Sequence, residues 1–122
     1  MSTLTGMALS AMRRAERVPI AAACPPGAPG WYALEIAPDG PLVFVGETAD
    51  LAARLGWHRR QLAERGAVDP RAVLIRWVEA ASVLGEDAWD LRCRRAIGAV
   101  LVSILQPVWD GDFVAAHRPI TP

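Results

Sequence analysis

A small α+β sandwich, with helices packed against a three-stranded antiparallel sheet, is the fold class this sequence predicts, and three observations predict it. Two short runs rich in β-branched and aromatic residues, Trp31–Ile36 and Leu42–Val45, flank the turn residues Pro38, Asp39 and Gly40, which is the pattern of a β-hairpin. A third such run, Arg71–Val78, follows the Asp69-Pro70 break. Helical segments fall between and after these runs, and a hairpin with interspersed helices packs as layers around one core.

Each element has its own signal. Thr3–Arg17 has helical composition, with Leu4, Met7, Ala8 and Ala11 at helical spacing, and it ends before Val18-Pro19. Cys24–Gly30 holds three prolines and two glycines, which deny the donors and dihedrals of a regular element. Residues 1–29 are therefore expected to be an N-terminal helix and a Pro-rich lead-in, residues 30–113 the domain proper, and 114–122 a tail. Thr48 offers an N-cap oxygen, Asp50 an acid for the first turn and Gly66 a stop, so Thr48–Arg65 is expected to be a helix. Gly85-Glu86-Asp87-Ala88-Trp89 opens the last long helix with acids at its positive end, and that helix runs to Gln106, before Pro107.

Composition narrows the function classes. A chain of 122 residues supports one domain with one modest core, and 52% apolar against 21% charged residues is globular rather than disordered. Thirteen Arg, no Lys and thirteen acids give zero net charge, which excludes a uniformly basic nucleic-acid coat and leaves room only for a local Arg patch. The absence of Lys and Asn reads as coding bias, not function. The first 17 residues carry their charges late, unlike a secretory signal. The longest apolar run, Ala96–Leu105, is ten residues, half of what a bilayer span needs. Cys24 and Cys93 are too few and too far apart for a zinc spacing, so two unpaired thiols in a cytoplasmic protein are expected.

The chemistry gathers at the hairpin and the helix after it. Gly30-Trp31-Tyr32 opens the first strand and Phe44-Val45-Gly46 closes the second, and hairpin pairing makes Tyr32 and Phe44 neighbours. Arg54 and His58, four residues apart, share one helix face. Gln61 and Arg65 lie near them and the Leu51, Leu55, Leu62 stripe lies to one side, so Arg54 and His58 are expected at the edge of the buried face, bordering a cleft.

Gly30-Trp31-Tyr32, Phe44-Val45-Gly46-Glu47-Thr48, Arg54 with His58, and Pro107-Val108-Trp109-Asp110 after a long terminal helix together resemble the GIY-YIG nuclease family. The resemblance covers about residues 30–113, and the ending Pro107–Phe113 is more like the restriction-enzyme branch. It implies a phosphodiester-cleaving site in which Tyr32 helps activate water, Arg54 stabilises phosphate charge, His58 assists proton handling, and a glutamate on the last helix binds a divalent metal. This chain departs from that pattern. Phe44 stands where the family has a second tyrosine, and Asp110 where it has asparagine. The glutamate position, about three helical turns before Asp110, falls on Gly98, and Leu91–Trp109 contains no acid at all. A hard cation without its carboxylate has little to hold it.

The expectation is therefore a GIY-YIG nuclease-like protein whose cleft binds DNA or another phosphate-bearing ligand, without efficient metal-dependent cleavage and without a cofactor. Arg59, Arg60, Arg94 and Arg95 are expected to face phosphate, provided the last helix packs beside the helix of Arg54. Three other readings stand beside it. One is an active Mg²⁺- or Mn²⁺-dependent endonuclease using Glu47 or Asp110, although Glu47 suits a helix start and Asp110 a turn with Gly111. Another is a cleft turned to metal-free acid–base chemistry on a small anion. The last is an interaction module or homodimer built on the apolar final helix around Leu101. Trp57, Trp77, Trp89 and Trp109 suggest base stacking, but tryptophans in so short a chain are more often core, Trp77 above all; His117 is expected to be exposed.

Overall fold

The computed structural model describes residues 3–37, 40–65 and 69–107. Its elements are α1 (Thr3–Arg14), β1 (Val18–Pro19), β2 (Gly30–Ile36), β3 (Leu42–Thr48), α2 (Leu51–Arg65), β4 (Val73–Glu79), α3 (Ala81–Leu84) and α4 (Leu91–Leu105), with 3-10 turns at Pro70–Ala72 and Gly85–Trp89. The α+β architecture is as expected, but the sheet has four strands, in the order β1-β4-β2-β3, all antiparallel. The added strand is short. Val18 and Pro19 pair with Ile75 and Leu74 at the sheet's edge, the place where a proline's missing donor does no harm.

β2 lies between β3 and β4 and is buried from Gly30 to Glu35, which explains its apolar character on both faces. Its alternate residues serve different layers. Trp31 and Ala33 join Ala8, Leu9 and Met12 of α1 and Ile97 and Leu101 of α4 in one core cluster. Tyr32 and Leu34 join Leu51, Leu55 and Leu62 of α2 in the other. Helices α2 and α4 therefore cover opposite faces of the sheet, not adjacent positions on one face. Burial of Leu101 also means that Leu101→Lys would charge the core and cannot probe a dimer surface.

Local chemistry moves several boundaries. Thr48 stays in β3 as the partner of Gly30, and its Oγ1 accepts from the Asp50 amide. Asp50 caps α2 instead, its Oδ1 accepting from the Ala53 amide at 3.0 Å. The last helix likewise starts later than Gly85, because Asp90 accepts from the amides of Arg92 and Cys93. Asp90 sits there with extended backbone, while Gln106 ends α4 with φ at 48°. α1 stops at Arg14 and buries Thr5, Ala8, Leu9 and Met12, leaving Leu4 and Met7 exposed. Arg17 and Arg76 both pair with the buried Glu35, and Arg76 also donates to the Met12 carbonyl, so a polar clamp ties the end of α1 to the sheet.

At the hairpin, Gly40 donates to the Ile36 carbonyl, and a Cβ there would come within 2.7 Å of the same oxygen. Pro38, Asp39, Gly66, Val108–Phe113 with Trp109 and Asp110, His117 and the tail 114–122 lie outside the described residues. Among the described residues no helix is long and apolar enough to cross a membrane, and Cys24 and Cys93 are free thiols.

Candidate functional site

Tyr32 and His58 meet between β2 and α2. The Tyr32 Oη lies 2.8 Å from His58 Nε2, and the two residues are only 3% and 1% exposed. Sequence spacing puts His58 at the rim of the buried face; the structure puts it inside, with its ring edge-on to Tyr32, Phe44 and Trp57. Tyr32 and Phe44 are neighbours as hairpin pairing requires, their centroids 5.9 Å apart. Gly46 makes room for this. A Cβ on it would stand 2.7 Å from the Tyr32 Cζ and Oη and 2.8 Å from Phe44 Cε1. Gly30 is equally confined, because a Cβ would strike the Val78 carbonyl and lie 2.7 Å from Leu51 Cδ1.

Burial pushes the Tyr32 phenol above its usual range; the positive charge of Arg54 pulls it down and the negative charge of Glu47 pushes it further up. Tyr32 is therefore a neutral hydroxyl at ordinary pH rather than a phenolate base. The His58 tautomer sets the direction of their hydrogen bond: with the imidazole proton on Nδ1 the phenol donates to Nε2, and with it on Nε2 the imidazole donates to the phenol oxygen.

The arginines expected to face phosphate do not act together. Arg54 is exposed and lies over the Trp57 ring, 5.2 Å from its centroid. Arg60, further along α2, is exposed too. Arg59 is turned to the lead-in, donating to the carbonyls of Ile20 at 2.7 Å and of Ala23. Arg94 is not at the surface: it is 3% exposed, donating from Nε to Glu47 at 2.9 Å and from Nη1 to the Ala88 carbonyl. Arg95 is exposed, 3.9 Å from the same carboxylate, on the opposite face of the sheet from Arg54. The expected patch thus reduces to Arg54 and Arg60 on the α2 side.

Glu47 neither faces solvent nor supports the start of α2. From β3 it faces its β2 partner Trp31, on the α4 face, and is held by Arg94. Composition hides the buried role of Arg94, although Arg94, Ile97, Gly98 and Leu101 share one helical stripe, the signal that identifies it. Gly98 completes this corner: a Cβ on it would lie 3.4 Å from Glu47 Cβ and 3.7 Å from Trp31 Cδ1. Those are ordinary contacts, so packing does not demand glycine. Gly98→Ala is expected to stabilise the protein by about 0.5–1 kcal/mol through helix propensity. A urea midpoint that falls instead would show that crowding against Trp31 prevails.

No protein-family model matches the chain, and no curated protein matches it.

Proposed function

We propose that the protein is a diverged GIY-YIG nuclease-like domain that binds a phosphate-bearing ligand, with DNA as the first candidate, and lacks efficient metal-dependent cleavage. The observation that carries this reading is the juxtaposition of the buried Tyr32–His58 pair with the exposed guanidinium of Arg54, one helical turn from His58. Arg54 presents a planar, always charged fork to solvent, suited to phosphate oxygens. Beneath it, Tyr32 and His58 hold each other in place and hold a proton between them.

The carboxylate chemistry on the α4 face of the sheet supports the loss of cleavage. A divalent cation needs several oxygen ligands. Glu47 is already neutralised by Arg94, and Gly98 has no side chain to add. These residues do not suit a metal ion. The reading carries a cytoplasmic location with it, consistent with the free thiols Cys24 and Cys93.

Two measurements test it. Fluorescence anisotropy with a labelled oligonucleotide should show binding that Arg54→Ala weakens about tenfold, the loss of one charge-assisted contact. Supercoiled plasmid with Mg²⁺ or Mn²⁺ should remain un-nicked. Unchanged binding by Arg54→Ala would remove the phosphate site from this corner, and robust nicking abolished by Tyr32→Phe would restore the working-nuclease reading.

A further inference from the structure

Beside the Tyr32–His58 pair, at the N-terminal half of α2, the surface forms a shallow cavity of about 340 Å³ lined by Thr48, Asp50, Ala53, Arg54, Trp57 and Arg60. Its volume is at the lower end of the range that small-ligand sites occupy. Three features of its walls are chemically distinct. Trp57 is half-buried and packs edge-on with His58, the ring centroids 4.9 Å apart. Arg54 covers the ring with a guanidinium that is itself exposed. Arg60 folds back along the helix, its Nη1 3.6 Å from where a Cβ on Gly56 would lie, which brings a second cation towards the same cavity. Asp50 also lines the cavity, but its Oδ1 is occupied by the cap of α2.

A half-buried tryptophan packed edge-on with His58, with a guanidinium three residues before it and another three residues after it on one helix, matches what an unpaired nucleotide needs. Bases stack on an aromatic face or on a guanidinium plane, and their phosphates take the charge. A base held inside a duplex offers neither face. We infer that this cavity is a binding site for an unpaired nucleotide in single-stranded DNA or RNA, with its base layered on Trp57 and Arg54 and its phosphate on Arg54 and Arg60. This deepens the phosphate-binding reading above and rests on it. It also gives Trp57 a role that core packing alone does not: the ring sets the distance between base and phosphate contacts.

The test compares anisotropy titrations of a labelled oligothymidylate, an abasic chain of the same length and a fully paired duplex. The wild type should prefer oligothymidylate over both others. Trp57→Ala should weaken oligothymidylate binding roughly tenfold or more, weaken the abasic chain far less, and leave the salt dependence unchanged. Arg54→Ala should weaken both chains. Because Trp57 packs on His58, Trp57→Phe and Trp57→Leu accompany Trp57→Ala, with circular dichroism to check folding; Phe should keep most of the preference and Leu should lose it. Equal binding of abasic and oligothymidylate chains, or indifference to loss of the ring, overturns the nucleotide site while leaving phosphate binding intact if Arg54→Ala still acts. Absence of binding to every chain overturns both.

Discussion

Arg94→Ala is expected to lower the unfolding free energy by about 3–5 kcal/mol, the cost of breaking a buried ion pair by removing one partner, since the exposed Arg95 at 3.9 Å replaces little of the lost contact. The Arg94 side chain is 3% exposed and that of Glu47 16%, so water reaches the stranded carboxylate poorly. The same substitution removes the Arg94 Nη1 donor from the Ala88 carbonyl, which precedes the cap of α4. In a domain whose total stability is typically about 5–15 kcal/mol, this is a large share. Urea denaturation measures it directly, and Arg95→Ala is the control: Arg95 is 71% exposed and 3.9 Å from the same carboxylate, so its loss should cost at most about 0.5 kcal/mol. Replacing both partners, as Glu47→Leu with Arg94→Met, should recover most of the loss, because paired removal strands no charge. A double variant as unstable as Arg94→Ala would show that the Ala88 contact, not the ion pair, holds α4 in place.

The same pair shows how far a sequence can be read and where it falls silent. The hairpin is legible because Pro38-Asp39-Gly40 punctuates two β-rich runs, and Tyr32 and Phe44 become neighbours through strand pairing alone. Spacing places Arg54 and His58 on one helix, but spacing cannot say how far a side chain sinks. His58 lies fully inside because Gly46 lets the Tyr32 ring approach β3, and aromatic neighbours then close around the imidazole. β1 is invisible in the sequence, since a two-residue run that includes a proline gives no strand signal; only pairing with Leu74 and Ile75 makes it a strand. The start of α4 is ambiguous because acids at Glu86 and Asp87 suit a helix N-terminus as well as Asp90 does, and only the hydrogen bonds to Arg92 and Cys93 decide among them. Composition groups Arg94 with its surface neighbours, whereas its position in the stripe of Ile97 and Leu101 governs its burial.

Trp31→Ala should be as damaging as Arg94→Ala, by about 3–5 kcal/mol, because it opens a large void in a close-packed layer. Trp31 has no exposed surface, shares a cluster with α1 and α4, and donates from Nε1 to the Arg94 carbonyl at 3.0 Å. It therefore fixes the backbone of the residue whose side chain grips Glu47, while Glu47 is its own partner across the strand pair. Trp31→Phe keeps most of the apolar volume and removes the donor, so it should cost about 1–2 kcal/mol. Because adjacent residues on β2 face opposite layers, Trp31 and Tyr32 belong to separate clusters. Below its lowered melting temperature, Trp31→Phe should thus bind a labelled oligonucleotide as the wild type does, per folded molecule. A Trp31→Phe variant that stays folded but loses binding would mean that the α4 layer positions Tyr32 and His58 through the strand itself, and the ligand site would then extend across the sheet rather than resting on its α2 face.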